Sequence, residues 1–152
     1  MSTDFFLFVH SHEFPHVDLP LLASVDGVQR VGDYQLAIEG LCDIRCKPMD
    51  MYHRELMSQD YGKYSQQYTW FLRGTYDHNA CLNQLMERLI RCAAALVALR
   101  PALPLALMRE AESFYVFNSP SKLILAPICF DAAGLVPGLF QKRYSKRQIH
   151  SY

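Results

Sequence analysis

The stretch DHNACLNQLMERLIRCAAALVAL, residues 77–99, decides how the rest of the chain is read. Leu82, Leu85, Met86, Leu89, Ala93, Leu96 and Val97 recur at spacings of three and four, so one wide apolar stripe runs along a helix. Asn83, Gln84, Glu87, Arg88 and Arg91 fill the opposite side. Asp77 or Asn79 can cap the N–H groups at its start, and Pro101 forbids continuation beyond its end. A helix of this kind must lay its stripe on something, and the flanking segments read as strands.

Upstream, DFFLFVH (4–10) is aromatic, β-favouring and apolar at consecutive positions, as a strand covered on both faces requires. HVDLPLLASV (16–25) fits a short helix or a loop limited by Pro20. DYQLAIEGLCDIRC (33–46) reads as two strands around Glu39-Gly40, with Leu36 and Ile38 on one face and Cys42, Ile44 and Cys46 on one face. Residues 47–68 carry no sustained period and form a long connection with one helical turn around 51–57. YTWFLRGTY (68–76) returns to strand character, ending at Gly74. Downstream, LALMR (105–109), SFYVFN (113–118) and KLILAP (122–127) form a meander, with NSPS as turn chemistry between the last two. Residues 128–152 read as loop, with a flexible basic tail at 141–152. The expectation is a single α+β domain over 1–152, a largely antiparallel sheet with one long amphipathic helix (about 77–99) packed on one face.

Composition agrees with that picture. The chain has 152 residues, 51% hydrophobic and 20% charged, enough for one ordinary domain that needs no disulfide or metal staple. Net charge is zero, which argues against general affinity for nucleic acid or anionic membranes. The charge is unevenly spread. Residues 1–76 hold ten acidic and six basic side chains, whereas residues 77–152 hold five acidic and nine basic. Cys42, Cys46, Cys81, Cys92 and Cys129 have no regular spacing and read as reduced, packed thiols. MSTDFFLFV lacks a basic n-region, and CAAALVALRPALPLAL (92–107) is broken by Arg100 and two prolines. Neither is expected to target or span a membrane, and a cytoplasmic location is expected.

FFLFVHSHEFPH (5–16) raises the question of a metal centre. His10 and His12 would point the same way on a strand, but catalytic zinc needs three protein ligands. The others would have to come from His16, Glu13, His53 or His78, which form no motif. HSHE is faintly like a deaminase opening, but the Pro-Cys-x-x-Cys that this chemistry needs is missing. A strand end turning at Pro15 is the simpler reading. No Gly-rich phosphate loop and no Gly-x-Ser-x-Gly elbow occur. His78 precedes Cys81 by three residues near the helix start, where a thiol pKa can fall, but a packed thiol is the ordinary outcome. No cofactor and no catalytic residue are expected. A small metal- or thiol-dependent enzyme using His10/His12 or Cys81 stands as an alternative.

The segment 50–68 has another character. Asp50, Tyr52, Glu55, Asp60, Tyr61 and Tyr64 interleave tyrosines with carboxylates, a combination suited to gripping a basic protein partner. A connection this long is more often functional or disordered than idle.

Taken in order, YTWFLRGTY, NQLMERLIRCAAALVAL, LALMREAES, FYVFN and KLIL resemble a pattern in immunity proteins of bacterial polymorphic-toxin and contact-dependent inhibition systems. In that pattern a strand with a (F/W)xL core leads to an Ala/Leu-rich helix and then a three-stranded meander. DFFLFVHS and EGLCDIRC are similar in kind to the first half of such proteins. The resemblance implies a non-enzymatic inhibitor that binds a cognate toxin or effector domain and occludes its active site, with no nucleic-acid or membrane partner. A secretion-system adaptor or effector chaperone would bind protein surfaces in a comparable way.

Overall fold

The computed structural model describes residues 2–52, 54–55, 68–77, 82–109, 113–131 and 137–149. Nine strands form one mixed sheet: β1 (Ser2–Val9), β2 (Val28–Gly32), β3 (Gln35–Ile38), β4 (Cys42–Pro48), β5 (Trp70–Asp77), β6 (Leu105–Arg109), β7 (Ser113–Asn118), β8 (Leu123–Leu125) and β9 (Tyr144–Lys146). Among the described residues the helices α1 (Asp18–Ala23), α2 (Leu82–Leu99) and α3 (Ile128–Asp131) accompany them, and residues 51, 52, 54 and 55 are helical too. The spatial order is β2-β3-β4-β5-β1-β6-β7-β8-β9, antiparallel throughout except for the β8–β9 pair. The α+β expectation therefore holds, with the sheet larger than the sequence reading gave.

The amino-terminal strand lies at the centre. β1 pairs antiparallel with β5 on one side and β6 on the other, so β5 and β6 run parallel to each other. Parallel strands need a crossover longer than a turn, and α2 lies on that crossover. Central placement explains why β1 is apolar at consecutive positions. Phe5, Leu7 and Val9 are buried on one face and Phe6 and Phe8 on the other.

The first face carries the main core. Leu7 aligns with Leu72 and Leu107, and Val9 with Trp70 and Leu105. α2 packs here, where a cavity of about 30 Å³ is lined by Met86, Ile90, Arg109 and Tyr115. Its buried side extends beyond the expected stripe to Ile90, Cys92 and Ala94, because α1, α3 and the 3-10 turn Pro137–Phe140 also pack against it. On the second face Phe6 stacks on Phe8 at 5.7 Å, and Phe8 stacks on Tyr68 at 5.7 Å. Phe71, Met108, Phe117 and Ile124 extend this buried layer.

Several elements depart from the sequence reading. β5 does not stop at Gly74 but runs to Asp77, so Asp77 is a strand residue. Asn79 lies outside the described residues. β2, unanticipated, is an edge strand with only Val28 buried. Residues 128–149, expected as loop, contain α3, the 3-10 turn and β9, and they bury Cys129, Phe140 and Ile149. Residues 144–146 of the expected basic tail thus form the last strand of the sheet.

Candidate protein-binding surface

The strand register gathers several loops at one rim of the sheet. Val9, the end of β1, aligns with Trp70 and Leu105, the starts of β5 and β6. Pro48, the end of β4, also aligns with Trp70. The chain just after β1 and the chain just after β4 therefore emerge side by side.

The segment after β4 is held by a short stem. Met49 is buried and its N–H donates to the carbonyl of Thr69 at 2.8 Å. The Thr69 N–H donates in turn to Val9 at 2.9 Å, so the ladder continues past the formal strand ends. Residues 51, 52, 54 and 55 are helical, and the Arg54 N–H donates to the Asp50 carbonyl at 2.9 Å. The expected helical turn is present at these positions. Asp50, Arg54 and Glu55 are exposed, as are Met51 at 80% and Tyr52 at 69%. Large side chains this open, set between two carboxylates on an anchored turn, are what a binding surface requires. Met51 was not singled out from sequence; its exposure, at the start of a helical turn, is a tertiary fact. Asp60, Tyr61 and Tyr64 lie outside the described residues.

The neighbouring histidines are brought together but not in a strand. β1 ends at Val9, and the rings of His10 and His12 meet edge-on at 5.2 Å in the turn beyond it. His12, Glu13 and His16 are exposed. Among the described residues no three His, Cys, Asp or Glu side chains converge as a metal-binding group. The four described cysteines are free thiols. Burial pushes the thiols of Cys42, Cys46, Cys92 and Cys129 up to about 12, the wrong direction for a nucleophile. His53, His78 and Cys81 lie outside the described residues.

A polar node below this rim fixes its geometry. Asp18, fully buried at the start of α1, accepts from Trp70 Nε1 at 3.0 Å and from Arg100 Nη2. Arg100 Nη1 also donates to Ser11 Oγ at 2.6 Å and to Glu13 Oε2 at 3.0 Å. Phe14 stacks on Trp70 at 4.7 Å. The chain after β1 is thereby tied to α1, β5 and the end of α2, and Glu13 is committed to a structural ion pair.

The order of strands places β2 to β5 on one side of β1 and β6 to β9 on the other, so the Asp50–Glu55 turn lies on the β2–β5 side.

No protein-family model, no curated protein and no solved structure matches this chain. Among the described residues no helix is long and apolar enough to cross a membrane.

Proposed function

We propose that the chain is a stoichiometric inhibitor of the immunity-protein kind, binding a cognate toxin or effector domain through the turn that follows β4. The observation carrying this reading is the pair Met51 and Tyr52, 80% and 69% exposed beside Asp50 and Glu55. Apolar and aromatic side chains of this type are the ones that act as anchors when they fill a partner's pocket. Carboxylates around them steer and select a basic surface, such as the substrate cleft of an enzyme that handles an anionic polymer. The Met49–Thr69–Val9 stem supports the reading further, because an anchored turn loses less entropy on binding. Inhibition on this reading is occlusion, with no bond made or broken.

The test is co-expression with any toxin-like domain that a neighbouring reading frame is found to encode. Growth rescue by the unaltered chain is expected. Loss of rescue is expected for the double variant Met51→Ser, Tyr52→Ser, with roughly a hundredfold or greater loss of affinity in calorimetry. Unchanged growth with and without the chain would sink the proposal. Full affinity in the double variant would remove this surface from it.

A further inference from the structure

The rim that carries Met51 and Tyr52 holds a second loop. The turn between β2 and β3 closes there, because Gly32 lies beside Gln35, and Gln35 lies beside Arg45 near the end of β4. The Tyr34 carbonyl accepts the Cys46 N–H at 2.8 Å, which bonds this turn to the strand leading into Asp50. Cys46 stands four positions before Asp50, at most about 14 Å of chain. Both turns therefore fit within the roughly 800 Å² that one partner of standard size covers.

Tyr34 is an open ring on a buried support. It is 51% exposed, and its ring lies 5.9 Å from that of Phe14. Phe14 stacks in turn on Trp70, which is buried and held by Asp18. Arg30 folds back to donate to the carbonyls of Gly32 at 3.2 Å and Asp33 at 3.0 Å, so the backbone of the turn is braced as well. Ring and backbone are fixed before a partner arrives, and little freedom remains to be lost on binding. Val31, 52% exposed at the end of β2, and Val17, 39% exposed just after Phe14, add apolar surface. Asp33 is exposed, and among the described residues its carboxylate forms no ion pair.

We propose that the β2–β3 turn is the second half of the footprint of the toxin or effector domain, with Tyr34 as its anchor. The inference rests on the inhibitor reading and extends it beyond residues 50–55. Tyr34 fills an apolar recess of that domain, and Asp33 meets a basic side chain at the edge of the recess. One partner for both turns follows from their shared rim and their like chemistry. Asp33 and Tyr34 here repeat the combination of Tyr52 with Asp50 and Glu55, an exposed ring among carboxylates. Phe14 is a positioning residue, since it acts through the ring it supports. A second copy of the chain fits less well, because a two-fold contact would turn this carboxylate-bearing surface on itself.

The experiment is growth rescue and calorimetry of the full chain with the same toxin-like domain as in the co-expression test. Tyr34→Ala should weaken binding roughly tenfold or more, whereas Tyr34→Phe keeps the ring and should stay within about threefold of the unaltered chain. Asp33→Asn breaks no ion pair among the described residues and should flatten the dependence of affinity on salt. Tyr144→Ala, at a tyrosine 43% exposed at the opposite end of the sheet, should change nothing. Phe14→Leu should cost affinity in the unaltered chain but not in the Tyr34→Ala background, whereas a merely structural role would cost the same in both. Unchanged binding in Tyr34→Ala and Asp33→Asn, with the Met51→Ser, Tyr52→Ser variant inactive, would overturn this inference and leave the inhibitor reading standing. No rescue by the unaltered chain would overturn both.

Discussion

Arg100 donates through Nη2 to the fully buried carboxylate of Asp18, and the same carboxylate accepts the indole N–H of Trp70 at 3.0 Å. The end of α2, the start of α1 and the start of β5 meet at one anion. Removing Arg100 leaves the fully buried Asp18 carboxylate without a counter-charge, whereas removing Asp18 leaves Arg100 paired with Glu13. Arg100→Met should therefore lower the unfolding free energy by about 3–5 kcal/mol in urea titrations. Asp18→Leu combined with Arg100→Met removes both charges and should cost clearly less than Arg100→Met alone. A double variant as unstable as the sum of the singles would refute coupling between the two.

Glycines supply a second contrast. Gly74 lies inside β5, and an added Cβ would meet Ile44 Cγ1 at 3.5 Å and Cys42 Sγ at 3.6 Å, ordinary contact distances. Gly74→Ala should stabilise the protein by about 0.5–1 kcal/mol, because alanine restricts the unfolded chain without strain. Gly27 has φ +83°, and its added Cβ would lie 3.0 Å from Arg88 Nε. Gly27→Ala should destabilise by about 1 kcal/mol or more, since a side chain resists that backbone region. Melting curves that move the two variants in the same direction would contradict this account.

What the sequence disclosed follows from how each element is buried. β1, α2, β6 and β7 were legible because their apolar residues follow the period of the element or run continuously. β2 and β9 were not, since edge strands with exposed side chains leave no alternation to detect. The Asp50, Tyr52 and Glu55 segment was visible as composition, whereas Met51 became a candidate only through its exposure. Asp18 and Arg100 are 82 residues apart, and no local signal couples them. β9 is built from residues that read as a basic tail, so only its parallel pairing with β8 places it in the sheet.

Asn118 is a further position where one side chain joins distant segments. Buried in β7, it donates to the carbonyls of Pro101 at 3.0 Å and Leu103 at 2.7 Å while accepting from Lys142. Asn118→Leu keeps the volume but leaves two carbonyls and one ammonium short of a partner. A loss of about 2–4 kcal/mol is expected from unsatisfied buried groups, measured by chemical denaturation. Lys142→Met should loosen β9 selectively. Hydrogen exchange should then rise in residues 144–147 but not in β1, and uniform acceleration would show that Lys142 supports the whole fold.

The buried thiols give the protein an alkaline limit. Desolvation raises Cys42, Cys46, Cys92 and Cys129 to about 12, with Asp43 adding to the effect at Cys42. The folded state therefore holds these protons where the unfolded chain releases them. Their contribution to stability is complete below the ordinary thiol range near 9 and is lost as pH rises toward 12. Lys142 works in the opposite sense, because burial favours its neutral form, but it is one group against four. Urea midpoints should thus fall steadily above pH 9, and Cys92→Ala, at a fully buried position, should flatten the decline. Native protein treated with iodoacetamide at pH 8 should carry no label at the buried Cys46, Cys92 and Cys129, while protein in 6 M guanidinium should carry it at all three. Rapid native labelling of Cys92 would show that α2 opens far more readily than its packing allows.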